Sequence, residues 1–139
     1  MKDRLDWDKY FLNVALQVAK RSTCPRLVVG TVVTKNNQIV GTGYNGAPSG
    51  LPHCTDVGCL IVNNRCVRVV HSEVNGVIQA LSKGIGIDTL YCTHSPCLEC
   101  AKIIINAQIK RVVYIKFYKS EEALDLLRLA KVSVEEMRP

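Results

Sequence analysis

Residues 88–116, DTLYCTHSPCLECAKIIINAQIKRVVYIK, decide how this chain folds. Asp88 to Thr93 reads as a strand, Cys97 to Ala107 as a helix and Arg111 to Lys116 as a second strand. Strand, helix and strand in quick succession belong to an α/β architecture, in which helices cover the faces of a sheet. Downstream, Glu121 to Ala130 continues as a helix and Val132 to Glu135 as a last short strand. Upstream, Ser72 to Lys83 is helical, with Val74, Val77, Ile78 and Leu81 on one face and Gly84 at its end. Leu27 to Thr34 and Gln38 to Tyr44 read as strands joined by a turn at Asn36-Asn37. An amphipathic helix precedes them, from a capping Asp6 to about Arg21, with Phe11, Val14, Ala15 and Val18 at helical spacing. The expectation is a three-layer α/β fold, a mixed five-stranded sheet with helices on both faces.

The chain has 139 residues, the size of one domain, and 47% hydrophobic content, that of a globular protein. No apolar run reaches membrane-spanning length, and the N-terminal stretch MKDRLDWDKY has acidic residues and lacks the apolar core of a signal peptide. A cytoplasmic location is therefore expected. In a reducing compartment seven cysteines point to metal binding or catalysis rather than to disulfides. A net charge of +6 is compatible with a phosphorylated substrate, although many basic proteins have no such partner.

Two short segments carry the chemistry: His71-Ser72-Glu73 and Pro96-Cys97-Leu98-Glu99-Cys100. Each is expected to begin a helix, with Pro96 at the first helical position, where a missing N–H costs nothing. Cys97 and Cys100 then share one face of the first turn, and the positive end of the helix favours their thiolates. Two thiolates and an imidazole make a zinc site with its fourth corner free for water, the pattern of catalytic zinc. Glu73 beside the metal can take the water's proton and pass it on. Each piece alone has a plainer reading. His71 could be a buried core histidine, Cys97 and Cys100 a redox pair or half of a structural site, and Glu73 a solvated helix residue. Together and in this order they make the H-x-E…P-C-x-x-C signature of zinc deaminases.

On these residues the chain resembles the deoxycytidylate (dCMP) deaminases of the late-competence and phage type, within the zinc-dependent cytidine deaminase superfamily. The resemblance extends over Arg21 to Arg26, Gly43-Tyr-Asn-Gly46, His53-Cys54, Gly58-Cys59, Cys66 to Arg68, Thr93 to Cys97 and Ala101 to Lys110. It implies a cytidine-deaminase-like fold and a zinc-dependent hydrolase that converts dCMP to dUMP and ammonia, feeding dTMP synthesis. It also implies a hexamer and allosteric control by dCTP and dTTP. By the same resemblance Asn45 contacts the sugar, and Arg26, Tyr118 and Lys119 are candidates for the phosphate. Arg26 also fits an ordinary exposed arginine, and Tyr118 a packing residue. Ser72 stands where the family usually has alanine, which bears on contacts behind the metal. Gly76, again where alanine is usual, should loosen its helix by about 1 kcal/mol.

Four further cysteines, Cys24, Cys54, Cys59 and Cys66, lie at the mouth of the first strand and in the polar stretch between Asn45 and Val70. That stretch has few large apolar residues with which to order itself. A structural zinc would tether it with roughly 10 kcal/mol of gross binding energy, and some of the deaminases that the chain resembles carry one. His53 could replace one cysteine. Cys92 reads as a small buried apolar residue. Competing functions are deamination of dCTP, deamination of a nucleic-acid base as in tRNA adenosine deaminases, and a catalytically silent zinc-stabilised nucleotide-binding protein. A low aromatic content of 6% offers little for stacking on nucleic acid, and the intact Glu73 argues against silence.

Overall fold

The computed structural model describes residues 3–139; residues 1 and 2 of the N-terminal stretch read above for a signal peptide lie outside them. Five helices and seven strands follow in chain order: α1 (Trp7–Ala19), β1 (Gly30–Lys35), β2 (Gln38–Tyr44), α2 (Cys54–Val57), β3 (Ile61–Val62), β4 (Arg65–Cys66), α3 (Ser72–Leu81), β5 (Thr89–His94), α4 (Leu98–Asn106), β6 (Arg111–Lys116), α5 (Glu121–Leu129) and β7 (Ser133–Glu136). The expected mixed sheet forms in the order β2-β1-β5-β6-β7. β1 is antiparallel to β2 and β5, whereas β5, β6 and β7 run parallel.

Strand periodicity divides the core between two faces. Val32, Tyr91 and Val113 are neighbours across β1, β5 and β6 and pack under Phe11, Leu12 and Ala15 of α1. Val33, Leu90 and Val112, one residue along, face the opposite way and pack with Val77 of α3, Ile104 of α4 and Leu127 of α5. Asp6 caps α1 as expected, accepting from the Lys9 N–H at 2.9 Å. Asn36 and Asn37 have φ of 50° and 59°, the left-handed turn that a two-residue hairpin needs. No helix among the described residues is long and apolar enough to cross a membrane.

Three expectations change. The first strand starts at Gly30 and not Leu27, because the segment before it turns away to meet Asn45, whose N–H bonds the Val29 carbonyl. Pro96 is not the first helical residue: Cys97 is the N-cap of α4 and Leu98 the first residue within it. The stretch from Asn45 to Val70 is not bare loop. It holds the single turn α2 and the small hairpin β3–β4, closed by Asn63-Asn64 at φ of 50° and 63°. Gly46 and Val70 exchange two backbone hydrogen bonds across its base, so the excursion leaves and returns at one point, beside α3.

Candidate active site

The starts of α3 and α4 meet at the ends of β2 and β5, and this meeting brings the two sequence segments together. His71 is the N-cap residue of α3 and Cys97 that of α4, with Cys100 one turn further on. The Nδ1 atom of His71 lies 3.3 Å from Cys100 Sγ and 3.4 Å from Cys97 Sγ. A tetrahedral zinc with Zn–N of about 2.0 Å and Zn–S of about 2.3 Å would hold such atoms about 3.5 Å apart. The donor set fits a zinc ion in chemistry and in spacing.

The electrostatics favour a thiolate at Cys97. A hydrogen bond from Cys100 pulls the Cys97 thiol down to about 3, and a bond from His71 adds to it. That same hydrogen bond and burial push Cys100 up. The Cys97 sulfur in turn raises the pKa of His71. Glu73, in the first turn of α3, is only 5% exposed, and burial raises its carboxyl pKa. Its Oε1 accepts from the Ser72 hydroxyl at 2.8 Å.

A cavity of about 480 Å³ opens over this cluster, with His71, Glu73 and Cys97 in its wall. The four residues expected to touch substrate, Arg26, Asn45, Tyr118 and Lys119, all line it. Asn45 is deeply buried and also structural: its Oδ1 accepts the Ser72 N–H at 2.9 Å, capping α3. Tyr118 is pinned at the rim, its N–H donating to Ser95 Oγ at 2.7 Å, and Lys119 Nζ sits 5.2 Å from its ring centroid. Sequence reasoning missed Arg65, which the β3–β4 hairpin folds into the same wall, with Asn64 beside it. The repeated Asn-Asn pair was the available signal. Strands of two residues carry no periodicity that could have supported it.

The sulfurs of Cys54, Cys59 and Cys66 form a second group, within 4.8 Å of one another, with Cys54 and Cys66 at 3.6 Å. Burial and hydrogen bonds from its partners push Cys54 up to about 12. Burial acts on Cys66 in the same direction, but the Arg68 backbone and the Cys54 thiol bring it down to about 7. Cys24 does not join this group; it is buried in the cavity wall, close enough to Cys59 for their charges to interact. His53 is the N-cap residue of α2, and its Nδ1 is buried with no hydrogen-bond partner. Cys92 is wholly buried in β5, as expected.

A family model described as the cytidine and deoxycytidylate deaminase zinc-binding region matches residues 5–116. ComE operon protein 2 of Bacillus subtilis (strain 168) is 40% identical over 138 residues, 97% of this chain and 73% of that protein. The deoxycytidylate deaminase of Mycobacterium phage D29 is 39% identical over 125 residues, 81% of this chain and 97% of the phage protein. The yeast deoxycytidylate deaminases are longer, and the chain spans 45% of each. Among solved structures, the dCMP deaminase of cyanophage S-TIM5 in complex with dCMP and dUMP superposes with a TM-score of 0.83 at 34% identity. The match covers 92% of this chain and 94% of the phage enzyme.

Proposed function

This chain belongs to the zinc-binding cytidine and deoxycytidylate deaminase family, and we propose that its reaction is the hydrolysis of dCMP to dUMP and ammonia. One observation carries the reading. His71, Cys97 and Cys100 converge with Glu73 on a cavity whose wall also presents Arg26, Arg65 and Lys119. A buried carboxylate beside the metal-ligand cluster supports a proton carrier for the cytosine ring, and the cations suit a phosphate.

His71, Cys97 and Cys100 hold the zinc, which when bound supplies a water acidic enough to act as nucleophile at neutral pH. Glu73 takes a proton from the attacking water and delivers it to ring N3 as the hydroxide bonds to C4; it then takes the proton of that new hydroxyl to the amino nitrogen, the C4–N bond breaks, C4=O forms and ammonia leaves. Burial keeps its carboxyl ready to hold a proton between these transfers. Asn45 fixes the start of α3, and with it Glu73, while facing the sugar. Arg26, Arg65 and Lys119 receive the phosphate, with Tyr118 closing the rim.

The second zinc belongs to this proposal. Cys54, Cys59 and Cys66 supply three thiolates; His53, whose buried Nδ1 has no partner, and Cys24 both lie outside this group and are the two candidates for the fourth ligand. Assembly into a homo-oligomer is supported by exposed Leu81 on α3 and Ile103 on α4, which line a groove between the two helices, and by exposed Ile78 on α3. The hexamer and the dCTP and dTTP effectors rest on the resemblance.

The test is ammonia release from dCMP, dCTP, cytidine and a tRNA in turn, with Glu73→Gln alongside. We expect dCMP to be preferred and the variant to keep zinc but lose at least about a thousandfold in kcat. Activity on tRNA alone, or near-normal turnover by Glu73→Gln, would overturn the assignment.

A further inference from the structure

Behind the Glu73 carboxylate runs a line of buried groups that the mechanism above does not use. Ser72 Oγ lies 2.8 Å from Glu73 Oε1 and 2.8 Å from Thr31 Oγ1 on β1, and Thr31 Oγ1 lies 3.3 Å from Cys92 Sγ on β5. Ser72, Thr31 and Cys92 are wholly buried. Register explains the meeting: Thr31 and Cys92 pair across the two strands and face α3 together.

Counting hydrogens sets the direction of the line. An ionised carboxylate only accepts, so the single Ser72 O–H is spent on Oε1. The Ser72–Thr31 contact must then use the Thr31 hydrogen, which is also the one directed toward Cys92 Sγ, and the Cys92 thiol has a hydrogen of its own. Burial pushes Cys92 up to about 12, so the thiol keeps that hydrogen. Ser72 is thus the donor to Oε1, and Thr31 is the buried hydroxyl that holds Ser72 from behind.

We propose that Ser72 is a positioning residue for the deamination, holding Glu73 by Oε1 with Thr31 as its anchor, and so directing the second carboxylate oxygen to the substrate. The inference rests on Glu73 being the proton carrier. The same bond serves both forms of Glu73, because a protonated carboxyl still offers a carbonyl oxygen to the Ser72 O–H.

Ser72→Ala, Thr31→Val and Thr31→Ser, each loaded with zinc, test this with dCMP as substrate. Ser72→Ala should lower kcat about tenfold, equivalent to about 1.4 kcal/mol, with KM changed less than twofold and zinc content and Tm unaltered. Thr31→Val should lose in the same direction by less, and Thr31→Ser should recover most of that loss. A Ser72→Ala kcat within twofold of the unaltered chain, or a KM rise that matches the kcat loss, would overturn the proposal. Should Ser72→Ala fail to fold, the Thr31 pair decides alone, and equal rates for Val and Ser would overturn it. An unaltered chain that releases no ammonia from dCMP would sink the proposed function itself, a result separable from any of these.

Discussion

The side-chain oxygen of Asn45 accepts the backbone N–H of Ser72 at 2.9 Å, joining the residue after β2 to the first turn of α3. The bond satisfies a helix-start donor that His71 leaves without a side-chain partner. It also sets the depth at which Glu73 enters the cavity. Asn45→Ala is expected to lower stability by about 1–2 kcal/mol, the usual range for a lost cap. Urea denaturation would measure this, and turnover of the folded fraction should fall as well.

Two glycines on facing elements should respond in opposite ways. A Cβ on Gly43 would collide with the Ser72 carbonyl and the Gly76 N–H, because β2 lies directly against α3. Gly43→Ala should therefore cost about 3 kcal/mol or more, since rigid backbone cannot yield. A Cβ on Gly76 would meet nothing closer than the Thr31 methyl at 3.4 Å. Gly76→Ala should stabilise by about 0.5–1 kcal/mol through helix propensity. Thermal melts of the two variants would show the contrast.

Zinc content should separate the two metal centres. Cys59→Ser is expected to remove about one zinc per chain, lower Tm and raise KM for dCMP, because Cys66 and Arg65 share the hairpin that lines the cavity. Cys97→Ser should also remove one zinc but abolish turnover with a smaller change in Tm. His53→Ala behaving as Cys59→Ser would identify the fourth ligand; Cys24→Ser doing so instead would move that role to Cys24. Elemental analysis of the four variants reads the result directly.

Arg111 holds Asp8 through two bonds of 2.7 Å and Glu135 through bonds of 2.9 and 3.1 Å, tying α1 to the far edge of the sheet. Its guanidinium lowers the pKa of both carboxyls. A lowered carboxyl pKa means stability that is present above the unfolded value, near pH 4, and lost as pH falls through the folded value. Glu135 is the more exposed, so screening cuts its share. The chain should lose about 1–2 kcal/mol more than Arg111→Gln between pH 5 and pH 2. Parallel acid denaturation curves for the two proteins would refute the network's role.

The large elements were legible because each carries its own signal. β2 and β6 occupy the residues expected, Gln38–Tyr44 and Arg111–Lys116, and α3 and α5 begin where read, at Ser72 and Glu121. In α5 one face is apolar at helical period and its burial fixes the element; α3 instead buries Ser72, Glu73, Gly76, Val77 and Ala80 and leaves Ile78 and Leu81 of the expected face exposed, because β2 lies against it through Gly41 and Gly43. Ends were less legible. Leu27–Val29 has the composition of a strand, yet a ladder needs a partner, and there the backbone of Val29 bonds Asn45 instead. Pro96 has the chemistry of a first helical residue, but the helix begins two positions later, at Leu98, which makes Cys97 the cap.

Sequence alone determined the ligand types, their spacing and the helix starts that would carry them, because those are local properties of a few adjacent residues. It also determined that the stretch between Asn45 and Val70 would need holding by something other than apolar burial. Tertiary structure alone decided that His71 meets Cys97 and Cys100, that Arg65 reaches the cavity, and that Ser72, Thr31 and Cys92 stand in line behind Glu73. Those relationships depend on strand register and on the close approach of β2 to α3. Both are set by packing between residues far apart in the chain, for which no local pattern exists.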